Sequence, residues 1–195
     1  GELGIGKFGI GLPNSSISQC RRVDVWSWQS GPENAIHTYI DIDEIQEKDQ
    51  VAVPDPEQKP IPERWLEVGN TFEKTGTLVV WSKLDRCLWK TATTLIEHSE
   101  LLIGRTYRKF LDDGKISIRL VSFDLEKPDS SIEEDWVKPN DPLYLMDQTS
   151  CPPPFDDQPM FQKFGDEKFE RVFNISPMDD DDEYEVTVRF THAKV

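Results

Sequence analysis

Gly4-Ile5-Gly6-Lys7-Phe8-Gly9-Ile10-Gly11-Leu12 decides how this chain is read. Four of these nine residues are glycine, and glycine lets a backbone approach a ligand without interference from Cβ. Pro13-Asn14-Ser15-Ser16 follows and suits the first turn of a helix. The first N–H groups of such a helix have no partners, and its dipole favours an anion there. Lys7 adds a mobile positive charge. By themselves the residues spell a phosphate site, and three templates remain open. Gly1, Gly6 and Lys7 have the spacing of a P-loop, although Phe8 stands where a hydroxyl would hold magnesium. Gly4, Gly6 and Gly9 fit a dinucleotide fingerprint, which requires a βαβ unit. A glycine-rich turn with only a structural task is the third.

Working outward, the helix is expected to end near Arg21 and Arg22, whose charges suit its C-terminus. Val23–Trp28 reads as a strand, and Gly31-Pro32 as a turn. Residues 35–43 alternate: Ile36, Thr38, Ile40 and Ile42 on one face, His37, Tyr39, Asp41 and Asp43 on the other. The short connection makes these strands antiparallel neighbours, which disfavours the dinucleotide template. Residues 44–70 carry four prolines and read as a loop around a short helix at 64–67. Gly76 opens a strand to Leu84. Residues 91–111 have helical periodicity in Ile96, Ile103, Tyr107 and Phe110, stopped by Asp112-Asp113-Gly114. Strands are expected at 115–123 and from Tyr184 to Thr191, with loop over 126–160.

The segment Gly6-Lys7-Phe8-Gly9-Ile10-Gly11 resembles the second glycine box of the GHKL ATPases, the superfamily of gyrase, ninety-kilodalton heat-shock chaperones, histidine kinases, MutL and microrchidia ATPases. The helix, antiparallel strands and insertion that follow are similar too, as is Thr75-Gly76-Thr77-Leu78-Val79-Val80-Trp81, which resembles the late Gly-Thr strand. The resemblance covers roughly residues 1–111. It implies an α+β chain: a truncated Bergerat-fold two-layer α/β sandwich over 1–111, with helices on one face of a mixed sheet, then the start of a second strand-rich, transducer-like α+β domain over 112–195. It implies ATP and Mg²⁺ as cofactors, with Gly6, Lys7, Phe8, Gly9, Ile10, Gly11 and Leu12 around the phosphates and Thr77 on the adenine side. The family's catalytic Glu, its magnesium-binding Asn and its adenine-reading Asp motif belong upstream of Gly1. The chain is therefore expected to be a fragment with no catalytic residue or metal ligand of its own, inactive alone, from a parent that couples ATP binding to movement of an adjoining domain. That reading admits a homodimer of the parent. A histidine-kinase-like phosphotransfer domain and a non-catalytic interaction module are the alternatives.

Charge and composition bound the rest. Net charge is −15, which argues against a nonspecific nucleic-acid binder. Residues 1–111 hold 13 Lys/Arg against 16 Asp/Glu, and residues 112–195 hold 9 against 21. An anionic ligand is therefore not repelled by the first half, and the step places a boundary near residue 112. No apolar run is long enough for a bilayer. Three cysteines, Cys20, Cys87 and Cys151, have neither metal-ligand spacing nor a disulfide pattern, and a reducing cytoplasm is the expected compartment. The acidic run Asp179–Asp182 reads as a solvated turn, the three histidines as structural, and most of the six tryptophans as core or domain-interface residues.

Overall fold

β1, Cys20–Trp28, is the strand on which the first part of the chain is assembled. It alternates Arg22, Asp24, Trp26 and Trp28 on one face with Val23, Val25 and Ser27 on the other. The computed structural model describes residues 10–69, 72–146, 149, 159, 161–165, 168–176 and 183–194, with the backbone alone at 128–132. The protein is α+β in class, and it divides into two compact units. The first comprises residues up to Lys90 together with Phe123–Ser131; the second comprises Thr91–Ser122 and the chain from Ile132 onward.

In the first unit, helix α1 (Gly11–Ile17) precedes β1, and β2 (Ile36–Asp41) returns beside it. The sheet is completed by β3 (Glu57–Gln58) and β4 (Gly76–Leu84), in the order β3-β2-β1-β4, and every neighbouring pair is antiparallel. The family resemblance implies a mixed sheet with helices on one face. Here the four strands are antiparallel throughout: β2 returns beside β1 through a short connection, and β4 comes back to the other side of β1 after β2, β3 and two short helices. Both faces also carry helical segments: α1 on the Val23 side, and α3 (Glu63–Gly69) on the Trp26 side.

The core of this unit lies on the Trp26 side. Trp26, Trp28, Ala35 and Ile61 are buried, with Trp65, Phe72, Leu78 and Val80 packed against them. Trp28 donates from Nε1 to the Glu73 carbonyl at 2.9 Å and lies across Gly76. A Cβ at Gly76 would sit 2.3 Å from Trp28 Cζ2, so only glycine fits there. The segment 44–70 is more ordered than its prolines suggest. Asp41 ends β2 by capping α2 (Ile42–Glu47), its side chain accepting from the Asp43 amide at 2.9 Å. Asp43 and Glu44 in the first turn suit the helix dipole, and Lys48 closes the helix in the left-handed region at φ 67°. α1 also ends earlier than expected: Arg21 and Arg22 belong to β1.

The second unit opens with α4 (Ala92–Asp112), capped by Thr91, whose side chain accepts from the Thr94 amide. The charge step and the Asp-Asp-Gly stop suggest a border at 111/112, whereas the units part at Lys90/Thr91. The helix stops at Gly114 (φ 65°), but the Phe110 carbonyl accepts from the amides of Lys115 and Ile116, and Asn140 binds α4 through the Gly104 carbonyl and Arg105. A helix stop is thus a turn inside the unit. β5 (Arg119–Asp124), which overlaps the strand expected at 115–123, forms a hairpin with β6 (Lys127–Trp136), where a loop is expected from 126 on; the tip of the hairpin, Phe123–Ser131, belongs to the first unit. Arg119 grips Glu134 across it at 2.9 and 3.0 Å. Two small antiparallel pairs complete the unit: β7 (Phe161–Lys163) with β10 (Thr191–Ala193), and β8 (Glu170–Ile175) with β9 (Tyr184–Arg189). Among the described residues no helix is long and apolar enough to cross a membrane.

Candidate functional site

The register of the first sheet fixes which side chains share a face. Val23 lies opposite both Ile40 and Trp81, Val25 opposite Thr38 and Val79, and Ser27 opposite Ile36 and Thr77. All nine therefore project to one side. α1 covers part of that side, because Trp81 Nε1 donates to the buried Ser16 hydroxyl at 2.8 Å. Leu12 and Pro13 of α1 enclose, with Val23, Val25, Thr38 and Ile40, an apolar cavity of about 250 Å³. The rest of the face is open: Ile36 is 46% exposed, Trp81 42% and Val79 38%.

The residues singled out from sequence are distributed as follows. Gly6, Lys7, Phe8 and Gly9 lie outside the described residues. Ile10 is the N-cap of α1 in an α-helical conformation, and Gly11 and Leu12 form the first turn. No side chain caps this turn and no acidic residue stands in it. Gly11 has a negative φ, and a Cβ added there would meet nothing within 4 Å. The fold therefore does not require glycine at that position, unlike Gly76. Thr77 is exposed at the start of β4, its hydroxyl 3.4 Å from that of Ser27. Thr77 and α1 thus share a face of the sheet, but neither Thr77 nor Gly11 lines the 250 Å³ cavity.

The opposite face holds a charge network that sequence reasoning missed. Arg22 is bidentate to Asp24 at 2.8 and 3.0 Å and reaches Asp41 at 3.2 Å and Glu44 at 3.3 Å. Lys83 donates to Asp41 and Asp43, both at 2.8 Å, and Arg21 holds the other oxygen of Asp43. His37, 3% exposed, pairs through Nε2 with Asp24 at 2.9 Å, and its ring packs 4.4 Å from that of Trp26. Tyr39 donates to Glu44 and lies under the Arg22 guanidinium. Burial works to raise the Asp24 and Asp41 carboxyls. Arg22 and His37 at Asp24, and Lys83, the Asp43 amide and Arg22 at Asp41, outweigh it and hold both groups below the usual carboxylate range. Arg21 and Lys83 lower Asp43 likewise, and Asp41 and Asp43 raise Lys83. Each oxygen of Asp24 and Asp41 already accepts a hydrogen bond. The network ties α2 and β4 to β1.

Among the described residues no three His, Cys, Asp or Glu side chains converge where a metal ion could sit. Cys20 is buried and free, its thiol pushed up mainly by burial; Cys87 is also free. Comparison of the chain with models of known protein families, with curated proteins and with solved structures finds no match.

Proposed function

We propose that the first unit is the ATP-binding module of a GHKL-type ATPase and that nucleotide binding there is coupled to a conformational change in the second unit. In this reading the triphosphate lies against residues Gly6–Leu12 and the adenine toward Thr77. One observation supports it above the others: α1 and Thr77, picked out separately from the sequence, project from the same partly open face of one sheet. The uncapped first turn of α1, free of acidic residues, suits an approaching anion. Magnesium would accompany the nucleotide as its counter-ion, and no described residue is assigned to hold it or to activate water. The proposal is therefore one of binding and coupling.

A second reading, a non-catalytic interaction module, is favoured by Gly76. Its lack of a side chain is accounted for by Trp28 alone, so the Gly-Thr pair needs no ligand to explain it. Gly11→Val separates the two. Space around Gly11 lets the variant fold, while its side chain would stand between a phosphate and the first turn of α1. Calorimetric titration with MgATP should show binding to the protein and at least about tenfold weaker binding to the variant, at unchanged melting temperature. Equal affinities would remove the helix turn from the site, and no binding to either would leave the interaction module.

A further inference from the structure

β1 and β4 set Arg22, Asp24 and Trp26 beside Ser82, Val80 and Leu78 on the face of the sheet away from Thr77. The chain around α3 packs on that face. The Lys59 amide donates to the Ala35 carbonyl at 3.0 Å, and Ile61, 5% exposed, enters the core. The Trp65 amide donates to the Pro62 carbonyl at 2.9 Å, and the Trp65 ring meets that of Phe123 edge-on at 6.1 Å. This anchored segment and the two strands line a pocket of about 650 Å³.

The pocket is opposite in sign to the chain. The chain has a net charge of −15, yet Arg22, Lys59, Arg64 and Lys83 line the pocket against the one carboxylate of Asp24. Arg22 and Lys83 are taken up by the acids of the charge network. Lys59 and Arg64 are not. Among the described residues Lys59 makes no ion pair, and Arg64 lies over the Trp65 ring, 5.1 Å from its centre, without a carboxylate partner. The rest of the lining is aromatic or apolar. Trp26 and Trp65 contribute flat indoles, and Leu84 and Leu125, 57% and 62% exposed, leave apolar surface to solvent. Trp26 is 4% exposed, and its Nε1 has no hydrogen-bond partner among the described residues, although a buried donor ordinarily meets an acceptor. A cavity of this size takes a small organic molecule. Ammonium and guanidinium groups recognise a carboxylate, and indole faces recognise a ring.

We propose that this pocket binds a small aromatic carboxylate, with its acid group held by Lys59 and Arg64 and its ring against Trp65 and Trp26. The site is separate from the nucleotide reading, which concerns the opposite face of the sheet.

The whole protein is titrated by calorimetry with 1-naphthoate, with its uncharged analogue 1-naphthalenemethanol and with inorganic phosphate. 1-Naphthoate should bind at least about tenfold more tightly than either. Lys59→Ala and Arg64→Ala change exposed residues and should keep the melting temperature. Each should weaken 1-naphthoate about fivefold to tenfold, as for loss of a charged hydrogen bond. Lys115→Ala, which removes an exposed cation from the other unit, should leave the affinity unchanged. In ¹H–¹⁵N spectra the indole signals of Trp26 and Trp65, assigned through Trp26→Phe and Trp65→Phe, should move during the titration. That of Trp28, engaged by the Glu73 carbonyl, should stay. Equal affinity for the uncharged analogue would show that the charge is not read, and equal affinity for phosphate that the ring is not; either result overturns the proposal. So does an unaltered protein that does not bind 1-naphthoate, or a pair of Lys59→Ala and Arg64→Ala proteins that bind it as well as Lys115→Ala does. MgATP should not displace 1-naphthoate. If it does, and Lys59→Ala weakens both, the pocket is the nucleotide's own site, and the separate site falls together with the placement of ATP beside Thr77.

Discussion

The two faces of the β3-β2-β1-β4 sheet are made by the same strands and differ in nearly everything else. One carries Arg22, Asp24, His37 and Asp41 beside Trp26 and Trp28, and it is the buried one. The other carries Val25, Ile36, Ile40, Val79 and Trp81, and it is partly open. Alternation in a strand marks two faces, and the usual inference puts the apolar one inside. Here that inference is inverted for β2, where Ile36 is exposed and His37 and Asp41 are buried. Buried charge is tolerated only when it is paired, and every buried carboxylate on this face is. Paired charge and tryptophan packing hold the unit together on the first face, which also carries a pocket of about 650 Å³ beside Arg22, Asp24 and Trp26, whereas the second face leaves apolar side chains partly open around a cavity of about 250 Å³.

The largest effect is expected from removing one of the two tryptophans buried on the first face. Trp28→Ala takes away a side chain that is 6% exposed, its hydrogen bond to Glu73 and its contact with the Phe72 ring. A loss of about 4 kcal/mol is expected for an aromatic core truncation. Denaturant unfolding followed by tryptophan fluorescence measures it. A change below about 1 kcal/mol would mean that the first face is not the core.

Asp41→Asn comes next. Its carboxylate answers both Arg22 and Lys83 and caps α2. Lys83 is half exposed, so solvent recovers part of the loss, and about 2 kcal/mol is expected. The pH dependence follows from the lowered carboxyls of Asp24, Asp41 and Asp43. A group depressed in the folded state stabilises fully above its unfolded value of about 4, and that contribution disappears as pH falls through the lower folded value. The urea midpoint should therefore hold steady from neutrality to about pH 5 and fall below about pH 4. In Asp41→Asn the acid limb should be shallower, since one of the groups that must be protonated is gone.

Much of this was legible in the residues, and the limits are physical. The antiparallel order of β1 and β2 follows from a short connection, and the end of α4 from Asp113 and Gly114. The charge network was legible only in part. Arg22 and Asp41 are register partners, so pairing the two strands on paper would have set opposite charges side by side. Lys83 could not be found that way, because it reaches Asp41 and Asp43 from β4, at a residue in the left-handed region (φ 55°). α2 announced itself by Asp41 before Asp43 and Glu44, a capping pattern outweighed by the prolines further on. The place where the units part was not legible, because the bonds from α4 to Asn140 are long-range and leave no trace in local composition. Of the candidate site, the uncapped helix start and the facing of Thr77 follow from glycine placement and strand alternation. The hydrogen bond from Arg86 to the Ile17 carbonyl of α1 spans 69 residues and has no local signature.

The smallest expected change in stability is the one that most sharpens the contrast between the faces. Thr77→Val keeps the shape and the β-branching of the side chain at an exposed strand position and removes only the hydroxyl. That hydroxyl's one described partner is the Ser27 hydroxyl at 3.4 Å, a long contact at an exposed site. Stability should therefore change by less than about 0.5 kcal/mol, as for an ordinary surface substitution. Binding should respond differently. A ligand that accepts a hydrogen bond from Thr77 at a ring nitrogen, or donates one to its hydroxyl from an exocyclic amine, would lose it, and MgATP affinity should fall by about fivefold to tenfold. Guanine and hypoxanthine nucleotides offer different groups at the same positions, so the preference for adenine should narrow along with the affinity. A Thr77→Val protein with unaltered stability, unaltered ATP affinity and unaltered base preference would show that the open face does not read the base there. Thr77 would then be a strand residue chosen only for its β-branched shape, and the adenine side of the site would have to be sought among Val25, Thr38 and Ile40 around the 250 Å³ cavity.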